Sequence, residues 1–178
     1  MVQKYRRLSP AQGASLSIVG LVFGLVAWQL AAKEYPLPFR ILLLLFAWFT
    51  LWFFSHDLTH HIVGSLVGIR FRYYFLGRSA IRKLKLPLLP RLMNKIPVLV
   101  LKIDSKSMAQ ATVRARKWMH ASGAIVSISL PWIIIPESFS LGTIWGLLFV
   151  ALVLGNDIFT LYFSPKTGDL FRARMVKD

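Results

Sequence analysis

Apolar runs and polar or basic blocks follow one another in a fixed order along this chain. The first run, from Ala14 to Ala32, is uncharged and long enough to cross a bilayer as a helix. A second begins near Pro38, passes through "FRILLLLFAWFTLWFF" and continues to about Ile69. It exceeds the roughly 20 residues a span needs, so it is expected to tilt or to extend past the membrane. A third starts around Trp118 and runs through "HASGAIVSISLPWIII", with Pro131 placed to kink it. The fourth occupies about 141–163 and contains "GNDIF". Short connections, "KEYPLP" and "PESFS", join the first to the second and the third to the fourth. The predicted fold class is an all-α polytopic membrane protein, a single membrane domain over residues 1–178. Its helices are expected at about 14–32, 38–69, 118–136 and 141–163.

Residues 70–117 break the helical pattern. "IRFRYYFLG" (69–77) and "IPVLVLKID" (96–104) are rich in β-branched and aromatic residues with partial alternation, which predicts two short strands and so a small β-hairpin between the second and third helices. The stretch between them, "RSAIRKLKLPLLPRLMNK", mixes basic and apolar residues as a membrane-surface insertion would. "SKSMAQATVRARKW" (105–118) reads as an amphipathic lead-in to the third helix, capped by Ser105 or Ser107.

Charge then orients the spans. The formal net charge is +15, and 20 of the 22 Lys and Arg fall in the N-terminal tail, in 70–117 or after Ser164. Only Lys33 and Arg40 lie at the other ends of the helices. The positive-inside rule therefore places the N-terminus, the basic insertion 70–117 and the tail 164–178 in the cytoplasm, with the spans in the cell membrane. A chain that is 56% hydrophobic is expected to direct its basic surface at anionic membrane lipids, not at nucleic acid. No convincing cleavage site follows the first apolar run, so it reads as a retained helix and not a signal peptide. With no cysteine, disulfides and thiolate metal sites are excluded, and any metal must be held by His, Asp or Glu.

Candidate chemistry concentrates in "FFSHDLTHHIVG", residues 53–64. His56 and His60 are spaced i, i+4 and share one helix face, while Asp57 and His61 form a second such pair turned by about 100°. Two histidines at this spacing offer one helix's share of a tetrahedral zinc site. Ionisable groups in hydrocarbon face a partner, a cavity or a metal. Asp157 is the acidic residue well inside another predicted span. At 1.5 Å per residue, His56 lies roughly 27 Å along the second helix and Asp157 roughly 24 Å along the fourth, with His120 near the same level. His56, His60 and Asp157 are therefore expected to converge on a Zn2+ ion. Asp57, beside the first histidine, is placed to move the proton of an attacking water. Asn156 either binds a substrate backbone or oxyanion, or ties helices together.

These residues also resemble a known family. "HDLTHHIVGSLVGIRFRYYFLG" is similar to the HExxH helix of site-2-type intramembrane zinc metalloproteases, where a short strand follows. "RKWMHASGAIVSISLP" resembles that family's next core helix, and "GNDIFTLYFSPKTGDLFRARMVKD" its third conserved segment, which supplies the aspartate ligand. The likeness is closer still to a related group of zincin-type membrane peptidases. It covers roughly residues 50–178 in order and leaves the first helix as an accessory span. By this resemblance His56 and His60 are zinc ligands, Asp57 stands where the family has its glutamate base, Asp157 is the third ligand, and a membrane-protein substrate is implied. The chain departs from the pattern at Asp57, at "ASGA" in place of an AGP turn, and in lacking Leu-Asp-Gly. "TGDL" (167–170) makes Asp169 a rival third ligand, set aside because the preceding Pro165 and Lys166 suggest a solvated tail.

Three other readings compete. Histidine-box di-iron desaturases require more histidines than the four present. A b-type haem protein would take one of His56, His60 or His61 with His120 as axial ligands. An inactive homologue or scaffold would use the polar residues to pair helices. Gly64 and Gly68 form a G-x-x-x-G pair suited to close helix packing.

Overall fold

Small residues set how closely the first two helices approach. The structure, a computed structural model, describes residues 7–78 and 97–176. In α1 (Pro10–Ala31) the buried positions are Gly13, Ser17, Gly20, Gly24, Ala27 and Ala31, a small-residue stripe of the kind that lets helices in lipid pack backbone to backbone. The large side chains Val19, Val22, Phe23 and Val26 point outward and stay exposed. α1 lies along α2 (Leu37–Leu66), with Ala27 and Ala31 meeting Leu44, Ala47 and Leu51 in the core. Ser9 caps α1 through a capping box with Gln12.

Four helical stretches are long and apolar enough to cross a membrane: Pro10–Ala31, Leu37–Leu66, Val113–Ser140 and Thr143–Met175. The third is composite. α4 (Val113–Ser129), N-capped by Thr112, gives way at Pro131 to a 3-10 turn, Leu130–Ile134, and then to α5 (Ile135–Ser140). The expected kink thus takes the form of a tightened turn where proline removes a backbone donor. α6 (Thr143–Thr167) runs four residues beyond the predicted end, through Pro165, and breaks at Gly168 before a short α7 (Asp169–Met175).

The second helix stops at Leu66 instead of continuing to Ile69. Gly68, at φ 83°, takes the left-handed conformation after the last turn. Ile69 N–H donates to the Gly64 carbonyl and Gly68 N–H to that of Ser65, a Schellman ending that glycine adopts without steric cost. Only Gly64 of the G-x-x-x-G pair therefore packs within the helix, against Phe71 and Met119; Gly68 ends it.

The predicted hairpin is present and gains a strand. β2 (Phe71–Arg78) pairs antiparallel with β3 (Pro97–Ile103), and β1 (Arg7–Leu8) adds to the other edge of β2 in the order β1-β2-β3. Arg7 lies over the Tyr73 ring. The surface insertion expected over residues 79–96 falls outside the described residues. After β3, α3 (Ser105–Gln110) is capped by Asp104, not by Ser105 or Ser107. Its carboxylate accepts from the Lys106 and Ser107 N–H groups and from Arg72. The Ser107 amide, followed by the Arg72 guanidinium, holds this carboxyl below its ordinary range.

At the opposite end of the bundle Arg40, near the start of α2, ties the end of α1 to α5, the helix that "PESFS" forms in place of the expected connection. Its guanidinium donates to the Ala31 carbonyl, to Glu137 and to Ser140, at 2.7, 3.0 and 2.8 Å.

Candidate metal centre

His56 and His60 of "HDLTH" fall on the face of α2 that packs against α4. His60 is buried. Its Nδ1 lies 2.6 Å from the carbonyl oxygen of Met119; because a carbonyl only accepts, Nδ1 carries the proton and Nε2 is directed away as the free ring atom. Gly123, one turn further along α4, leaves the space the ring fills: an added Cβ there would collide with His60 Nε2. His56 is held in a parallel way, with Nδ1 2.9 Å from the Ser127 hydroxyl. The two rings meet edge to face, centroids 4.8 Å apart.

Both Nε2 atoms converge on one carboxylate, that of Asp169. His56 Nε2 lies 3.0 Å and His60 Nε2 3.3 Å from Asp169 Oδ2. One ligand atom from each of the three residues falls within 4.8 Å of the others. Tetrahedral zinc with bonds of about 2.0–2.2 Å places its ligand atoms roughly 3.3 Å apart; the two His–Asp separations match that spacing, while the set as a whole spans up to 4.8 Å. The chemistry agrees. His60 Nε2 is buried and makes no aligned hydrogen bond despite its closeness to Asp169. Two ring nitrogens and a carboxylate that face one another are held together by a proton or a metal cation among them. Arg172 touches the outer oxygen of Asp169 at 3.7 Å.

The carboxylate that meets the two histidines is that of Asp169; Asp157, expected there, lies outside the cluster. Asp157 Oδ2 accepts from the Trp132 indole at 2.9 Å, and Oδ1 lies 3.4 Å from Asn156 Nδ2. The predicted depth was nearly right, since Asn156 donates to the carbonyl of Ser127, the residue whose hydroxyl meets His56. Azimuth decides: one residue on, about 100° round the helix, Asp157 turns to Trp132. Asp169 reaches the histidines because the chain breaks at Gly168 and α7 folds back against α4. Ser164 Oγ steadies the break by accepting from Leu170 N–H. The tail that reads as solvated is a packed helix. The signal was "TGDL", a glycine breaker followed by an acid at the start of an apolar-basic segment.

Asp57, the expected proton carrier, has no hydrogen bond to a described residue and interacts through space with His56, His60 and Asp169. Asn156 Nδ2 donates to the Ser127 carbonyl at 3.0 Å, a contact between α6 and α4. His61 lies outside the cluster: its Nδ1 is 3.0 Å from the Tyr74 hydroxyl, and its ring packs on Phe71. Burial, and after it the charge of Asp57, raise the Tyr74 phenol above its ordinary value. His120 is buried near Asp169 and His60. His60 packs directly on α4, the helix that carries His120. Protein-family models, curated proteins and solved structures give no match to this chain.

Proposed function

We propose that the chain is an intramembrane zinc metalloprotease-like protein that hydrolyses a peptide bond of a membrane-protein substrate near the cytoplasmic face of the cell membrane. The observation that carries this reading is the convergence of His56 Nε2, His60 Nε2 and Asp169 Oδ2. Three protein ligands fit a catalytic zinc, which keeps a position open, better than a closed structural one. When bound, zinc supplies Lewis acidity, acidifying water and polarising a carbonyl.

The chain's own residues do the rest. Met119 and Ser127 hold the two imidazoles by their Nδ1 atoms, so that Nε2 is offered as ligand; such outer partners commonly tune metal affinity. Asp57, unpaired by hydrogen bonds among the described residues, takes the proton of the attacking water and passes it to the leaving amine. The His56 side chain is 34% exposed, so the cluster is open on that side to a neighbouring molecule. Asn156 keeps Ser127 in place under His56. The position of the basic residues favours a cytoplasmic site and cytoplasmic termini.

A second reading keeps the metal and drops the catalysis, because Asp57 is one methylene, about 1.5 Å, shorter than the glutamate of the family it resembles. Cleavage of an unstructured membrane-anchored peptide by reconstituted protein tests the proposal. Wild type is expected to cut and His56→Ala to be inactive. Equal cleavage by both would refute it, and zinc-loaded protein that cuts nothing would favour the second reading.

A further inference from the structure

A cleft of about 530 Å³ opens between β3, α3, α4 and α7. Much of its wall is apolar, with Val100, Ile103, Met108 and Val176 among the lining residues. His120 also lines it and is only 8% exposed, yet it makes no hydrogen bond to a described residue. A neutral imidazole carries one donor and one acceptor, and a buried polar group left without a partner is costly. Arg172, at the same cleft, already has its carboxylate in Asp169. His120 also brings the cleft up to the metal centre. It follows Met119, whose carbonyl holds His60, and it interacts through space with Asp169 and His60.

We infer that this cleft is the subsite for a large apolar side chain of the peptide substrate, beside the bond that is cut, and that His120 hydrogen-bonds the substrate backbone there; this rests on the proposed proteolysis. The substrate class is then an extended segment with a large aliphatic or aromatic residue at the cleaved bond. The volume lies within the range of binding pockets, about 300–1,000 Å³, with room for a Leu or Phe side chain and the backbone that carries it. The two parts of the site act differently. Burying a large side chain against the apolar wall favours that residue over alanine. An imidazole bonded to a backbone group strengthens every peptide alike, because all peptides carry the same donors and acceptors.

Membrane-anchored peptides of Gly and Ser with one central Ala, Leu or Phe test it on the full chain in detergent. Binding is read by fluorescence anisotropy in the Asp57→Asn background, and cleavage by mass spectrometry of the products from the Asp57 protein. The Leu and Phe peptides are expected to bind about tenfold or more tightly than the Ala peptide, and to be cut beside the large residue. Ala109→Trp, at an exposed α3 position in the cleft lining, fills the space and should cut that preference to about threefold or less. Gln110→Trp, exposed on the same helix but outside the lining, should keep it. His120→Leu should weaken all the peptides alike while keeping the preference, and His120→Gln, which retains a donor, should recover part of the loss. A binding preference without cleavage by any form would retain the subsite and dispose of the protease. Equal binding of the Ala, Leu and Phe peptides, an unchanged preference in Ala109→Trp, or full-strength binding by His120→Leu would overturn the inference.

Discussion

His60 Nδ1 lies 2.6 Å from the carbonyl oxygen of Met119, and that contact decides what the other side of the ring can do. With a proton fixed on Nδ1, the imidazole turns Nε2 to Asp169. The backbone of α4 thereby prepares a ligand carried by α2.

Gly123 is the other half of that relationship, since it gives the ring its space. Gly123→Ala is expected to displace His60 and cost about 1–3 kcal/mol of stability from overpacking. Zinc affinity should fall at least tenfold, as for loss of an outer partner. Isothermal titration with zinc, alongside a thermal melt showing that the variant folds, checks it.

Asp57 is separable from metal binding. Asp57→Asn should retain zinc at the wild-type level and melt close to wild type, because no hydrogen bond to a described residue is lost. Peptide cleavage should fall by about 10²–10⁴-fold, the usual contribution of a general base. Asp57→Glu should at least preserve cleavage. A rate assay paired with elemental analysis separates these effects.

Metal removal should loosen one element before the rest. Asp169 belongs to α7, so a metal on its carboxylate cross-links α7 to α2. Chelation is expected to lower the melting temperature by removing about 4 kcal/mol if zinc stands a thousandfold above its dissociation constant. It should also open the Gly168 region to protease. In Asp169→Asn the chelator should change neither.

The Arg40 clamp predicts a purely structural effect. Arg40→Ala removes three hydrogen bonds and leaves Glu137, whose side chain is 18% exposed, without its cation. A loss of about 2 kcal/mol is expected, seen as a lower melting temperature with unchanged zinc content, since the clamp lies at the end of the bundle opposite the metal centre.

What the sequence discloses follows the range of the forces involved. Hydropathy is read locally, so the four spans and both strands of the hairpin are legible from "FRILLLLFAWF" or "IPVLVLKID" alone. The His56–His60 pair is equally local, being fixed by one helix turn. The carboxylate that meets the pair is not. Asp157 and Asn156 differ by one residue, and only packing decides that Asn156 faces Ser127 while Asp157 faces Trp132. Asp169 reads as solvated because the folding back of α7 depends on contacts with α4, which lies some fifty residues earlier in sequence. β1 escapes a pattern search for the same reason: two residues, Arg7 and Leu8, form a strand only because β2 offers an edge.

The most direct test of the metal centre is zinc content per chain, measured by elemental analysis on wild type, Asp169→Asn and Asp157→Asn purified without chelators. The geometry predicts about one zinc in wild type and in Asp157→Asn, with little or none in Asp169→Asn. Zinc-free wild type, or zinc kept by Asp169→Asn and lost by Asp157→Asn, would contradict it.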